Sequence, residues 1–217
     1  MAGSYQTLRS PATDEYIINK SRFLCHATPC TSEEEALAFL NEKRQSYKDA
    51  SHNCYAYIIG ENAGIMRYSD DGEPSGTAGM PIMEVLKARH LVNCCVVITR
   101  YFGGILLGSG GLVRAYSHSA VLAVEKSGIV TMQPSIRCCA QIGYSLWDRV
   151  QYTLNQLPVQ VEETKFGAAV ESTVLVREKD FSLLEAALTR VSNGSIELIR
   201  VAEVYSGWVD PSENGQT

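Results

Sequence analysis

The sequence predicts an α+β protein with two domains. The first part of the chain alternates short apolar runs, typical of buried strands, with segments of helical periodicity. After Pro134 the pattern is strand–helix–strand–strand–helix–strand, the order of a ferredoxin-like unit. A length of 217 residues suits one large or two small domains. We therefore expect one domain over residues 1–133 and a second over residues 134–217.

The chain begins with a predicted tail that extends to about Thr13, followed by strands and one helix. Loose alternation over residues 15–28 predicts one long strand, or two short strands separated near residues 19–22. Ser32 and Glu35 form a capping box that begins a helix ending near Tyr47. Two more strands are predicted, at residues 54–59 and 65–68.

A loop rich in acids, glycine and proline follows at residues 69–79, and it contains Asp70, Asp71 and Glu73. Three carboxylates within four residues can hold a metal ion, repel phosphate or pair with arginines elsewhere. An ordinary solvated turn explains the composition equally well. Pro81 then suits the first turn of a helix.

The most unusual segment is a strand, a glycine loop and a helix. Residues 94–98 form a buried strand, and helical spacing begins at Leu112 and continues to about Lys126. The glycines between them are Gly103, Gly104, Gly108, Gly110 and Gly111. This arrangement points backbone N–H groups at an anion such as phosphate, with Arg100 and Arg114 beside it.

Dense glycines also serve close packing or turns with positive φ, without any ligand. The segment has neither G-x-G-x-x-G nor Gly-Lys-Ser/Thr, so a dinucleotide site is not predicted.

The second half is expected to begin after a strand at residues 129–133. Its predicted elements are a strand at residues 136–144, a helix at 146–157, strands at 159–166 and 169–176, a helix at 181–191 and a strand at 196–205.

Composition excludes several classes of protein. The formal net charge of −5 argues against binding duplex DNA through a broad basic face. The sequence contains no signal-peptide pattern and no bilayer-spanning apolar run, so we expect a cytoplasmic protein without membrane contact. Seven cysteines, two pairs of them adjacent in sequence, are expected to fill the core. We predict no metal and no cofactor.

Three segments resemble the IMPACT/YigZ family: Lys20 to Phe23, the string YSDDGEPSGTAGMP at residues 68–81, and the string RYFGGILLGSGGLVRAY at residues 100–116. The resemblance covers nearly the whole chain and indicates a bacterial-type member, because eukaryotic members carry an additional N-terminal module. It implies a ribosomal protein S5 domain 2-like N-terminal domain followed by a ferredoxin-like βαββαβ C-terminal domain similar to domains of elongation factor G. It also implies a link to translation.

The first functional hypothesis is a translation-associated binding module that contacts RNA, the ribosome or a ribosome-bound factor through the two long motifs. The candidate binding residues are Arg22, Asp70, Asp71, Glu73, Thr77, Arg100, Tyr101, Gly103, Gly104, Gly108, Gly110, Gly111 and Arg114.

The alternative is a small-molecule enzyme of GHMP-kinase-like fold, with a phosphorylated ligand at the glycine-rich loop and the acidic loop holding Mg²⁺ or acting as a base. No Ser-His-Asp or Cys-His arrangement is visible, and we predict no catalytic residue. A third interpretation is structural: the acidic loop pairs with Arg100 or Arg114 and holds the two loops together.

Overall fold

The computed structural model describes residues 3–208, so the predicted domain limits at residues 1 and 217 lie outside the described part. The described chain divides into two compact units, Tyr5–Thr131 and residues 3–4 together with Met132–Trp208. Each unit combines α-helices with β-sheet, in agreement with the predicted mixed class. No helix among residues 3–208 is long and apolar enough to cross a bilayer.

The first unit contains all three motif segments. Its elements are β1 (Tyr5–Leu8), β2 (Ala12–Ile18), β3 (Ser21–Pro29), α1 (Glu33–Ser46), β4 (His52–Ile59), β5 (Ile65–Ser69), α2 (Gly79–Ala88), β6 (Cys94–Tyr101) and α3 (Gly108–Ser127). Five of its strands form an antiparallel sheet in the order β2-β3-β6-β4-β5. The predicted tail is wrong, because β1 and the start of β2 lie within it.

Residues of the central strand β6 face two core layers, one on each side of the sheet. Successive strand residues point to opposite faces. Val96 and Ile98 accordingly pack in the cluster that contains residues of α2 and α3, whereas Cys95 and Val97 pack in the cluster that contains residues of α1. The same alternation decides where the functional candidates at the end of β6 point.

Local sequence explains the hairpin and the first helix. Asn19 and Lys20 both have positive φ, as a two-residue turn between β2 and β3 requires. The two-strand interpretation of residues 15–28 is therefore confirmed. Ser32 caps α1 by accepting from the Glu35 N–H at 3.2 Å, while the Glu35 carboxylate accepts from the Thr31 N–H at 2.6 Å.

The second unit follows the predicted βαββαβ order. Its elements are β7 (Ile129–Ile142), α4 (Tyr144–Asn155), β8 (Val159–Phe166), β9 (Val170–Arg177), α5 (Phe181–Ser192) and β10 (Leu198–Trp208). Strand β7 begins in the first unit, and in the second unit's sheet β9 lies between β7 and β8, with β10 also paired to β7. Its core includes Ile136, Val150, Val174 and Leu184.

The two strands predicted at residues 129–133 and 136–144 are one strand, because β7 runs through Pro134 without interruption. Proline lacks the N–H that a ladder uses. The ladder between β7 and β9 begins at Ser135, one residue later, so this pairing requires no donor from Pro134. The division of the chain into residues 1–133 and 134–217 stays a prediction.

Candidate functional site

The two long motifs meet at one cavity in the first unit. Its volume is about 510 Å³. The residues that line it are Ser51, His52, Gly72, Glu73, Pro74, Arg100, Phe102, Leu106, Leu107, Gly108, Ser109 and Leu112. We refer to this cavity and its rim as the motif cavity. Part of the acidic loop and the start of α3 meet at this cavity, although α2 and β6 lie between them in the sequence.

A buried ion pair connects the motifs. The Arg100 Nη1 donates to Glu73 Oε1 at 2.6 Å, and both side chains are less than a tenth exposed. The Tyr116 hydroxyl donates to the same Oε1 at 2.7 Å. Burial, followed by the proximity of Cys54 and Glu73, raises the pKa of Tyr116 far above its usual value, so its hydroxyl remains a donor. Glu73 therefore pairs with Arg100 and connects the two loops, as the structural interpretation of the acidic loop predicts.

Arg100 is also held by aromatic rings and by β3. Its guanidinium carbon lies 5.4 Å from the centre of the Phe23 ring and 5.5 Å from the centre of the Phe102 ring, within cation–π range. Its Nη2 donates to Ser21 Oγ at 3.3 Å. An RNA phosphate on the outer surface does not reach a side chain in this position. Any contact of Arg100 with a ligand must occur inside the cavity.

His52 faces the ion pair from β4. Its Nδ1 lies 2.8 Å from the carbonyl oxygen of Asp71, which can only accept, so Nδ1 carries the proton. Nε2 of a neutral His52 is then an acceptor, and it lies 3.9 Å from Glu73 Oε2. The sequence alone does not indicate this position of His52, because only the pairing of β4 with β6 places it opposite Arg100.

Asp70 organises the acidic loop around the start of α2. Its carboxylate accepts from the N–H groups of Gly76, Ala78 and Gly79 at 2.8, 2.9 and 2.9 Å. Burial raises the pKa of this carboxyl, but the three N–H donors outweigh it and the net pKa is lowered. Asp70 therefore caps a helix that has no capping side chain of its own.

Replacing Asp70 with asparagine is expected to destabilise the protein by about 1 kcal/mol at pH 7, since a charged cap is lost. Because the folded-state pKa is lowered, the contribution of the carboxylate is complete above the unfolded pKa near 3.8. It disappears as the pH falls through the lowered value. Urea unfolding of both proteins at pH 7 and near pH 3 measures this.

The exposed Asp148 on α4 provides the control for this series, since its replacement by asparagine removes the same charge from a surface helix. A stability difference between wild type and Asp70→Asn that stays constant down to pH 3 would contradict the capping role.

Asp71 and Thr77 make contacts within the fold. Asp71 Oδ1 pairs with Arg44 at 3.1 Å, and its Oδ2 accepts from the Asn53 N–H at 2.7 Å. The buried Thr77 hydroxyl donates to the Pro74 carbonyl at 2.6 Å. Neither residue lines the motif cavity.

The glycines of the second motif divide into distinct roles. A Cβ on Gly103 would lie 2.0 Å from the Lys20 carbonyl carbon, so this glycine permits contact with the β2–β3 turn. Gly104 and Gly108 have φ of +80° and +68°, a conformation that side chains rarely adopt. Gly110 and Gly111 belong to the first turn of α3, which begins four residues before the predicted start at Leu112.

The N-terminus of α3 opens on the motif cavity. No side chain caps it, and its first turn has no acidic residue. The exposed Arg114 lies against this turn, since a Cβ on Gly110 would be 3.5 Å from the Arg114 Nη1. The dipole of a long helix places partial positive charge at this end. This edge of the cavity is therefore positively polarised.

Arg22 and Tyr101 lie on the other face of the sheet. They are register partners in β3 and β6, and alternation turns them away from the face that carries Arg100. Arg22 pairs with Glu15, and the Tyr101 hydroxyl donates to Asp49 at 2.9 Å. The structure therefore does not bring them together with Arg100 and Arg114 in one site.

The motif cavity also contains functional candidates that the sequence did not single out. Phe102 is 48% exposed and Leu106 is 85% exposed, and together they form an apolar rim. Both lie inside the second motif string. Large apolar side chains within a loop are the sequence feature that could have indicated a binding role for them. Among residues 3–208, no group of three or more His, Cys, Asp or Glu side chains is arranged to hold a metal ion.

Comparisons with known proteins match two separate segments of the chain. The pattern of the Impact N-terminal domain matches residues 19–124, and a domain of unknown function (DUF1949) matches residues 141–195. A crystal structure described as that of a hypothetical protein superposes with a TM-score of 0.60 at 30% identity, covering 93% of this chain and 99% of the other.

Named relatives come from bacteria and from eukaryotes. The IMPACT family member YvyE of Bacillus subtilis is 38% identical over 91% of this chain and 91% of its own length. The IMPACT family member YigZ of Escherichia coli is 31% identical over 89% and 96% respectively. Protein IMPACT of Xenopus laevis is 37% identical over 41% of this chain and 30% of its own length. None of these names states a reaction, so the enzymatic alternative gains no support. The chain belongs to the IMPACT family.

Proposed function

We propose that the protein is a translation-associated regulatory binding protein that contacts RNA, the ribosome or a ribosome-bound factor through the motif cavity and its rim. The observation that carries this proposal is the convergence of the two long motifs on one open cavity. Membership of the IMPACT family supports the link to translation. We further propose an S5 domain 2-like fold for the first unit and a ferredoxin-like fold, similar to domains of elongation factor G, for the second.

Direct contact with RNA would use the exposed groups of this face. The Arg114 guanidinium at the start of α3 can pair with a backbone phosphate. The Phe102 ring can stack on an unpaired base, since half of it is exposed. The overall charge of −5 confines any such contact to a local positive region. Arg22 and Tyr101 do not take part in the same contact.

Ribosome co-sedimentation across a salt series tests this proposal with Arg114→Ala and a matched control, Arg190→Ala, which removes an exposed arginine from α5. Wild type and the control are expected to associate in a salt-sensitive manner. Arg114→Ala is expected to bind more weakly, with the slope of log K against log salt reduced by about 1. Absence of association at low salt, or equal binding by both variants, would contradict the proposal.

A further inference from the structure

The motif cavity presents three kinds of wall to a ligand. Phe102 and Leu106 form an exposed apolar rim, joined by Pro74 and Leu112. The first residues of α3 form a second wall, and the ion pair forms the third. A volume of about 510 Å³ lies in the range of small-molecule sites. The chemistry of the polar walls decides which ligand fits.

The wall made by α3 suits an anion. The first N–H groups of a helix have no partner within the helix. In α3 no side chain caps them, and the residues that carry them are glycines and one serine, so no bulky side chain covers them. Gly108 and Ser109 line the cavity. No carboxylate in this turn competes with a bound anion.

Arg100 provides a second, independent indication of a ligand. Its side chain is 5% exposed and lines the cavity, yet its Nε has no partner among the described residues. The described hydrogen bonds use one N–H of Nη1 and one of Nη2, out of the five N–H groups of a guanidinium. Unpartnered buried donors of this kind are unfavourable unless something binds them.

Glu73 does not exclude an anion, and it adds a specific acceptor. The positive charge of Arg100 neutralises the negative charge of Glu73, and Arg114 adds a second positive charge beside the first turn of α3. The hydrogen bonds from Arg100 and Tyr116 both use Oε1. Glu73 Oε2 lies 3.9 Å from His52 Nε2, beyond hydrogen-bond distance, and so remains an acceptor for a ligand hydroxyl or amino group.

We propose that the motif cavity binds a nucleoside phosphate, with its phosphate at the first turn of α3 and its base against Phe102 and Leu106. A nucleotide combines the three features that the walls require: an anion, a planar apolar face, and hydroxyl or amino donors for Glu73 Oε2. This inference deepens the proposed function, on which it rests for the biological source of the ligand. The source is either a free mononucleotide or the terminal nucleotide of an RNA.

The test uses two variants of equal size at Ser109, an exposed cavity residue in the first turn of α3. Ser109→Glu places a carboxylate at the phosphate position, and Ser109→Gln is its uncharged match. Both are expected to fold, because residue 109 is exposed and a glutamate is favoured at a helix N-terminus, and urea unfolding checks this. Calorimetric titration with AMP, adenosine and a 5′-phosphorylated single-stranded RNA oligonucleotide measures binding.

We expect AMP to bind wild type saturably and adenosine at least about tenfold more weakly. Ser109→Glu is expected to lose at least about tenfold in AMP affinity, equivalent to ~1.4 kcal/mol, while Ser109→Gln stays within about threefold of wild type. Tighter binding of the RNA than of AMP, lost in Ser109→Glu, would support the site and identify RNA as the source. Equal affinity of the wild type for AMP and for the RNA, with both lost in Ser109→Glu, would support the site and identify a mononucleotide as its ligand.

Absence of saturable binding of both AMP and the RNA, or equal AMP affinity in the two variants, would overturn the inference. Ribosome co-sedimentation separates this failure from failure of the proposed function. If association still depends on Arg114 while no nucleotide binds, the inference falls and the proposed function stands.

Discussion

Replacing Glu73 with alanine is expected to destabilise the protein by about 3–5 kcal/mol, because it leaves the Arg100 guanidinium buried without its counter-ion. Both side chains of this pair are nearly inaccessible to water, and the Tyr116 hydroxyl loses its acceptor at the same time. The measurement is the free energy of unfolding in urea at pH 7. A loss of this size is a large part of the stability of an ordinary domain.

The exposed pair of Arg137 and Glu162 provides the control. Its two nitrogen–oxygen distances, 2.6 and 2.8 Å, are close to the 2.6 Å of the buried pair, but both side chains are about one-third exposed. Glu162→Ala is therefore expected to cost no more than about 1 kcal/mol. In the buried pair, the double variant Glu73→Ala/Arg100→Ala is expected to be less destabilised than the sum of the single variants. Strict additivity would show that the two residues are not coupled.

Gly103→Ala is expected to destabilise the protein by about 1–3 kcal/mol or more, the range found when a packed interior must accept an extra methyl group. The added Cβ would lie 2.0 Å from the Lys20 carbonyl carbon and 2.3 Å from the Ser21 nitrogen. Both neighbours are backbone atoms, so no side-chain rotation relieves the clash. Urea or thermal unfolding measures the effect.

Gly110→Ala is the matched control from the same motif. Its Cβ would meet only the end of the flexible Arg114 side chain, at 3.5 Å. Since alanine is the better helix former by about 1 kcal/mol, this variant is expected to be neutral or more stable than wild type. If the two glycine variants lose the same stability, close packing is not the reason for Gly103.

The sequence was sufficient to predict most elements and to single out the two long motifs that meet at the cavity. The capping residues, the apolar periodicities and the turn at Asn19 and Lys20 are local features, and local physics determines them. The start of α3 was missed because glycines disfavour a helix interior, yet burial of Leu112 and Tyr116 extends the helix back through them.

The geometry of the candidate site depends on pairings that are distant in sequence. Arg22, Arg100 and Tyr101 were predicted as one group, but the antiparallel register of β3 and β6 places them on two faces of a sheet. No local pattern in the sequence singles out His52, which the ladder between β4 and β6 places opposite Arg100. The sequence leaves Asp70 open as a metal ligand, an ion-pair partner or a solvated residue, and its role as a helix cap follows only from the path of the loop.

The glycine-rich first turn of α3 has a consequence for the mobility of the cavity wall. Three of its first four residues are glycine, each less favourable in a helix than alanine by about 1 kcal/mol. This turn therefore unwinds at a much lower free energy than the rest of α3, where Ala115, Tyr116 and Ala120 are buried. Fraying of this one turn would alter the cavity wall that Gly108 and Ser109 form, while both compact units stay folded. A molecule that held these N–H groups would shift that local equilibrium toward the wound state.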